Sequence, residues 1–213
     1  TLSLHDALPI YQWGQWAAQT LGDAVDWPSA VLETEDKKMD LVGAVVVGLA
    51  TSLGGGTLRD LLLNRPVFWL GDVAYLVCGL LAVGITFVVA RRIHVRAGLF
   101  VVPDAMGLAL FTVVGCQIAV AAGVHWLVAS LLAVITGVVG GMLRDILVNE
   151  VPLVMRPGTL YATASWLGAL TLLGSLSLGW GDAAAAAAGA AVVLALRLAA
   201  IRWRLKLPTY RSR

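Results

Sequence analysis

Charge is what this sequence has least of. Of its 213 residues only 13% are Asp, Glu, Lys or Arg, while 59% are hydrophobic. Soluble domains carry about 25% charged residues. The shortfall leaves long windows without a charge, and several reach the roughly 20 apolar residues that a bilayer-crossing helix needs. The net charge of +2 is too small to point to nucleic acid. Cysteine is scarce as well. Cys78 and Cys116 each sit inside an apolar run and read as small core residues rather than a disulfide. Histidine is limited to His5, His94 and His125, none with a metal-ligating neighbour at useful spacing, so neither a metal nor a cofactor is expected. No nucleophile–base pair stands out. No catalytic residue is assigned, and the chain reads as a non-enzyme.

What is present is a series of apolar segments, and the fold class that follows is an all-α polytopic membrane protein of about seven helices. Six spans are expected over residues 40–64, 71–90, 104–122, 124–148, 158–178 and 183–201. The last opens on an alanine run that favours helix, with Asp182 as its expected N-cap. A further segment, 10–32, contains Gln12, Gln15, Gln19, Asp23, Asp26 and Pro28. It reads either as an unusual first span or as an interfacial segment, since Trp13, Trp16 and Trp27 suit the headgroup region. Residues 1–10, TLSLHDALPI, read as a non-native scar outside the fold.

Basic residues set the orientation. Eleven Lys and Arg fall on one side of the spans, including Lys37, Lys38, Arg91, Arg92, Arg96 and Arg156, against Arg65 alone on the other. Arg59, Arg144 and Arg197 lie within spans. This asymmetry puts the loop around residues 91–98 and the C-terminus in the cytoplasm.

A shift of 85 residues brings two segments into register. TSLGGGTLRDLLLN, from Thr51 to Asn64, falls on TGVVGGMLRDILVN, from Thr136 to Asn149, with eight of fourteen positions identical. Pro66 and Pro152 follow the two copies. Three crossings separate equivalent points, an odd number, so the copies run in opposite directions. Inverted repeats are a recurring plan of transport proteins, with the working site between them. The chain divides on this basis into 11–98 as first repeat, 99–179 as second, and 180–213 as final helix and basic tail.

Gly54, Gly55, Gly56, Gly140 and Gly141 lie deep inside apolar spans. Glycine costs about 1 kcal/mol relative to alanine there. These glycines are expected to break or kink the helices beside a polar path, and tight packing of small residues is the competing reading. Charges in a span face the bundle interior or water. Arg59, Asp60, Arg144 and Asp145 are therefore expected to line or brace that path, or else the arginines snorkel to the interface. Neighbouring residues point about 100° apart on a helix. The favoured pairs are then Arg59 with Asp145 and Arg144 with Asp60, across the pseudo-twofold axis.

The segments GGGTLRDLLLNRPVFWL, PDAMGLALFTVVGCQIAVAAG and GGMLRDILVNEVPLVM closely resemble the prokaryotic trimeric intracellular cation (TRIC) channels, a family also labelled a glycine transporter domain. The resemblance spans about residues 29–208. It implies two inverted three-helix repeats plus a final helix, a homotrimer with an ion path in each subunit, passage of potassium and sodium, and membrane lipids bound near the pores. It also carries the helix-breaking role onto the five glycines. The chain departs from the family at Asp26 and Pro28, where apolar residues are usual. A passive monovalent cation channel is the leading expectation. A secondary transporter of a small amino acid such as glycine is the alternative.

Overall fold

A computed structural model describes residues 40–90, 101–156, 160–203 and 205. The expected scar and the uncertain segment 10–32 lie outside these. Six long helices follow one another: α1 (Leu41–Leu62), α2 (Ala74–Ala90), α3 (Val101–Ala121), α4 (Trp126–Leu147), α5 (Tyr161–Ser177) and α6 (Asp182–Trp203). All six correspond to expected spans, with ends shifted by a few residues. Among the described residues there is no strand. Asp182 is the first residue of α6 rather than its cap.

The helix ends follow from local chemistry, and they repeat. The Asp40 side chain accepts the Gly43 N–H at 2.8 Å to cap α1. Its counterpart 85 residues on, His125, caps α4 by accepting the Leu127 N–H at 3.3 Å. At the other ends, Asn64 and Asn149 take positive φ, 50° and 59°. In each copy the next residue's N–H then reaches back to the motif aspartate's carbonyl, Arg65 to Asp60 at 2.9 Å and Glu150 to Asp145 at 2.8 Å. A left-handed residue ends a helix in this way, and asparagine tolerates that conformation better than most side chains. Pro66 and Pro152 then prevent resumption. α2 starts later than expected because residues Phe68–Gly71 form a separate turn and Asp72 accepts the Ala74 N–H at 2.9 Å.

Burial is inverted relative to a soluble protein. Among the described residues the three largest fully buried side chains are Arg59, Arg144 and Arg197, whereas Val42, Leu81, Ile85 and Leu178 are more than 60% exposed. An apolar exterior around a charged interior fits hydrocarbon as solvent. α1, α3, α4 and α6 are long and apolar enough to cross a membrane. α2 and α5, at 17 residues each, reach about 26 Å at 1.5 Å per residue, close to the roughly 30 Å of a hydrocarbon core. α4 packs on α1, α3 and α5, and α6 packs on α5 and α3. The α5–α6 contact is closest at Gly168 and Gly189, where a Cβ on either would come 2.9 Å from the other's carbonyl oxygen. Small residues let helix backbones approach in this way. Cys116 is fully buried beside Ala133, Ala169 and Leu172, as a small core residue.

The asparagine turns yield a test. Asn149→Val forces a β-branched residue into the left-handed region and should lower stability by about 1–2 kcal/mol. Asn149→Gly should be neutral or nearly so. Thermal unfolding of the two variants in detergent, compared with the parent, distinguishes them, and equal midpoints would show that the turn is not the constraint described.

Candidate functional site

α1 and α4 cross at their glycines. A Cβ built on Gly55 would overlap the carbonyl of Thr136, and one on Gly140 would overlap the carbonyl of Thr51. These four residues are two equivalent pairs of the 85-residue repeat. As position rises in one helix it falls in the other, so the crossing is antiparallel. Thr51 and Thr136 turn their hydroxyls back onto their own helices, to Val47 O at 2.7 Å and Leu132 O at 2.6 Å. The contact face is thereby left to Cα atoms and carbonyl groups.

Neither helix is broken there. α1 runs unbroken through Gly54, Gly55 and Gly56, and α4 through Gly140 and Gly141. The expected helix break is therefore corrected. A missing side chain alone provides the close approach, so no hydrogen bond of either helix need be given up.

Because the crossing is antiparallel, the two Arg-Asp motifs at the C-terminal ends of α1 and α4 lie at opposite ends of the molecule. The expected pairs across the axis, Arg59 with Asp145 and Arg144 with Asp60, do not form. Each arginine instead folds back onto its own neighbour. Arg59 Nε and Nη2 donate to one oxygen of Asp60 at 2.9 and 2.8 Å. Arg144 Nε and Nη2 donate to one oxygen of Asp145 at 3.0 and 2.9 Å. The long arginine stem spans the 100° between adjacent positions, which Cβ directions alone do not reveal. Both arginines are 1% exposed, so snorkelling is ruled out in this structure.

The second carboxylate oxygen of each aspartate holds the loop that follows. Asp60 accepts the Phe68 N–H at 3.0 Å and Asp145 accepts the Leu153 N–H at 2.6 Å, eight residues on in both copies. Each motif thus ties helix end, arginine and loop into one unit.

The Arg144 end carries more. Asp104, in the first turn of α3, accepts from Arg144 Nη1 at 3.0 Å, from the Tyr161 hydroxyl at 3.1 Å and from Arg197 Nη2 at 3.2 Å. The Arg197 guanidinium lies over the Tyr161 ring, 4.5 Å from its centroid. Four helices meet at this carboxylate. Sequence reasoning missed Asp104 and Tyr161 and counted Arg197 only as an in-span charge. The available signal was that an intramembrane charge needs a partner. Separations of 40 and 93 residues hid which one. Between α3 and α5, Thr112 and Ser165 share a buried hydrogen bond of 2.7 Å. Among the described residues no group of His, Cys, Asp and Glu is placed to hold a metal ion.

Removing one member of a buried ion pair costs about 3–5 kcal/mol, since its partner stays buried and unpaired. Asp104→Ala should therefore lower stability by about that much, with Arg197→Met partly offsetting the loss. A double-mutant cycle in thermal unfolding should show coupling between Arg144 and Asp104 and near-additivity between Arg59 and Asp145. Strong coupling of the latter two would restore the cross-axis pairing.

Comparison with known proteins accounts for this architecture. A family model described as "Glycine transporter" matches residues 17–91 and 101–177. The chain is 40% identical over 196 residues to the UPF0126 inner membrane protein YadS of Escherichia coli (strain K12), covering 89% of this chain and 93% of that protein. It is 38% identical over 192 residues to a UPF0126 membrane protein of Vibrio cholerae serotype O1, covering 89% and 80%. Among solved structures, the TRIC trimeric intracellular cation channel orthologue from Rhodobacter sphaeroides superposes with a TM-score of 0.85 at 34% identity, over 90% of this chain and 98% of that one. A structure described for conductance through TRIC cation channels superposes with a TM-score of 0.82 at 30% identity, over 92% and 97%. The chain is a polytopic membrane protein of the glycine transporter family, which is the TRIC family.

Proposed function

We propose that this protein is a passive channel for monovalent cations, potassium and sodium, acting as a homotrimer with an ion path in each subunit. The observation that carries the reading is the close structural likeness, over nine-tenths of the chain, to TRIC cation channels. The charge pattern is compatible with it. Among the described residues the buried charges are Arg59, Arg144 and Arg197 against Asp60, Asp104 and Asp145, so the interior is neutral. A neutral, polar interior avoids the barrier that a net buried positive charge would raise against a cation.

In this reading the chain consists of two inverted repeats, 11–98 and 99–179, and a final segment, 180–213. The glycine crossing sets how closely α1 and α4 approach beside the path, and the two Arg-Asp units brace its ends. The lysine and arginine bias puts the Arg144 end and the C-terminus on the cytoplasmic side of a bacterial inner membrane, with lipids around the trimer. The description of the family model favours a second reading, a transporter of glycine or a similar small amino acid.

Proteoliposomes separate the two. A channel passes potassium down its gradient without glycine, whereas a transporter moves little potassium until glycine is added. Gly55→Leu or Gly140→Leu should cut the potassium flux at least tenfold while insertion and assembly persist. Undiminished flux would detach the crossing from the path. Crosslinking in native membranes should stop at three copies. A C-terminal reporter active only outside the cytoplasm should stay silent, and clear activity would reverse the orientation.

A further inference from the structure

The two Arg-Asp units share one ion-pair geometry but differ at the remaining guanidinium nitrogen. At Arg144 all three guanidinium nitrogens are engaged, Nε and Nη2 by Asp145 and Nη1 by Asp104. At Arg59, Nε and Nη2 hold Asp60 in the same geometry, but among the described residues Nη1 has no hydrogen-bond partner although the side chain is 1% exposed. A buried donor on a charged group, left unpaired, carries the full penalty of its desolvation.

The repeat shows what fits there. The position facing Arg144 Nη1 holds a carboxylate oxygen, and that carboxylate brings its own cation, because Arg197 bonds its other oxygen at 3.2 Å. The combination adds no net charge to the Arg144–Asp145 pair. The Arg59–Asp60 pair is likewise neutral by itself. A lone anion on Nη1 would leave an uncompensated negative charge in a low-dielectric interior, which is unfavourable. A neutral unit carrying both charges avoids that cost.

We propose that Arg59 Nη1 is a binding point for a small zwitterionic group, an anionic oxygen on the guanidinium with an attached amine in the role that Arg197 plays at the other end. A free amino acid and a phosphoethanolamine headgroup share this chemistry. The turn Phe68–Gly71 covers the site. The Phe68 ring lies 5.8 Å from the Arg59 guanidinium carbon, the Phe68 N–H is held by Asp60, and Trp69 Nε1 donates to Thr57 Oγ1 at 3.0 Å. The ligand enters when this turn lifts. At the Arg144 end the occupant is built into the chain and does not exchange.

The inference does not depend on the channel reading, since binding is read without flux. The full chain, delipidated in detergent, is titrated with glycine, with the phosphodiester glycerophosphoethanolamine and with acetate, and followed by thermal unfolding and by equilibrium dialysis of labelled glycine. The zwitterions should raise the midpoint saturably and acetate should not. Arg59→Gln should abolish the shift. Phe68→Ala leaves the ion pair in place and should tighten binding several-fold. It keeps the question answerable if the arginine variant fails to fold. In nanodiscs, phosphatidylethanolamine should suppress the glycine effect if the headgroup is the natural occupant, and phosphatidylglycerol should not. Glycine binding that persists equally in both lipids would instead assign the site to a free amino acid. Absence of binding by either zwitterion, an acetate effect equal to that of glycine, or binding retained in Arg59→Gln would each overturn the proposal.

Discussion

Two helix backbones touch at the centre of this molecule, and most of what surrounds them follows from that contact. Gly55 lies against the Thr136 carbonyl and Gly140 against that of Thr51. Any side chain at either glycine would push α1 and α4 apart by the width of a methyl group. Each glycine costs about 1 kcal/mol in helix propensity. That cost is offset only where backbone meets backbone, since no hydrophobic drive holds helices together in lipid. The crossing is antiparallel, so the residues that follow each glycine run toward opposite surfaces. One sequence motif therefore builds two similar ends.

Charge is managed locally at both ends. Moving an ion out of water costs several kcal/mol even after relaxation, so each buried arginine needs a close carboxylate. The adjacent aspartate supplies it, and its remaining oxygen fixes the loop beyond the helix. Asp104 adds a second layer at one end only, gathering α3, α4, α5 and α6 at a single side chain. The Arg59 end has no such hub. Among the described residues it is held by one ion pair, one ring over a guanidinium and a short aromatic turn. The two ends thus differ in how many helices a single carboxylate joins, although their motifs are nearly the same.

Much of the fold was legible in the sequence because the bilayer imposes long apolar runs. All six spans expected within the described residues are helices, and the 85-residue repeat anticipated the equivalent glycine, Arg-Asp and proline positions. The paired asparagines, identical in both copies, turned out to be the left-handed residues that end α1 and α4. Reasoning failed where reach rather than spacing decides. Cβ directions argue against a bond between neighbours on a helix, yet a flexible guanidinium wraps round to make one. Consecutive glycines announce that something unusual happens to a helix, but a break and a close approach leave the same trace. Asp104 and Arg197 are 93 residues apart, and no periodicity links them.

The adjacency of arginine and aspartate also bears on how the chain enters the membrane. A span carrying Arg59 and Asp60, or Arg144 and Asp145, contains its own counter-ion one residue away. It can neutralise itself before any other helix has arrived, and so can partition into lipid as a self-contained unit. Arg197 has no acidic residue beside it on α6. Its carboxylate partner, Asp104, belongs to a helix made far earlier. In the order of synthesis, from α3 through α4 to α6, the carboxylate at that end precedes both arginines that bond it.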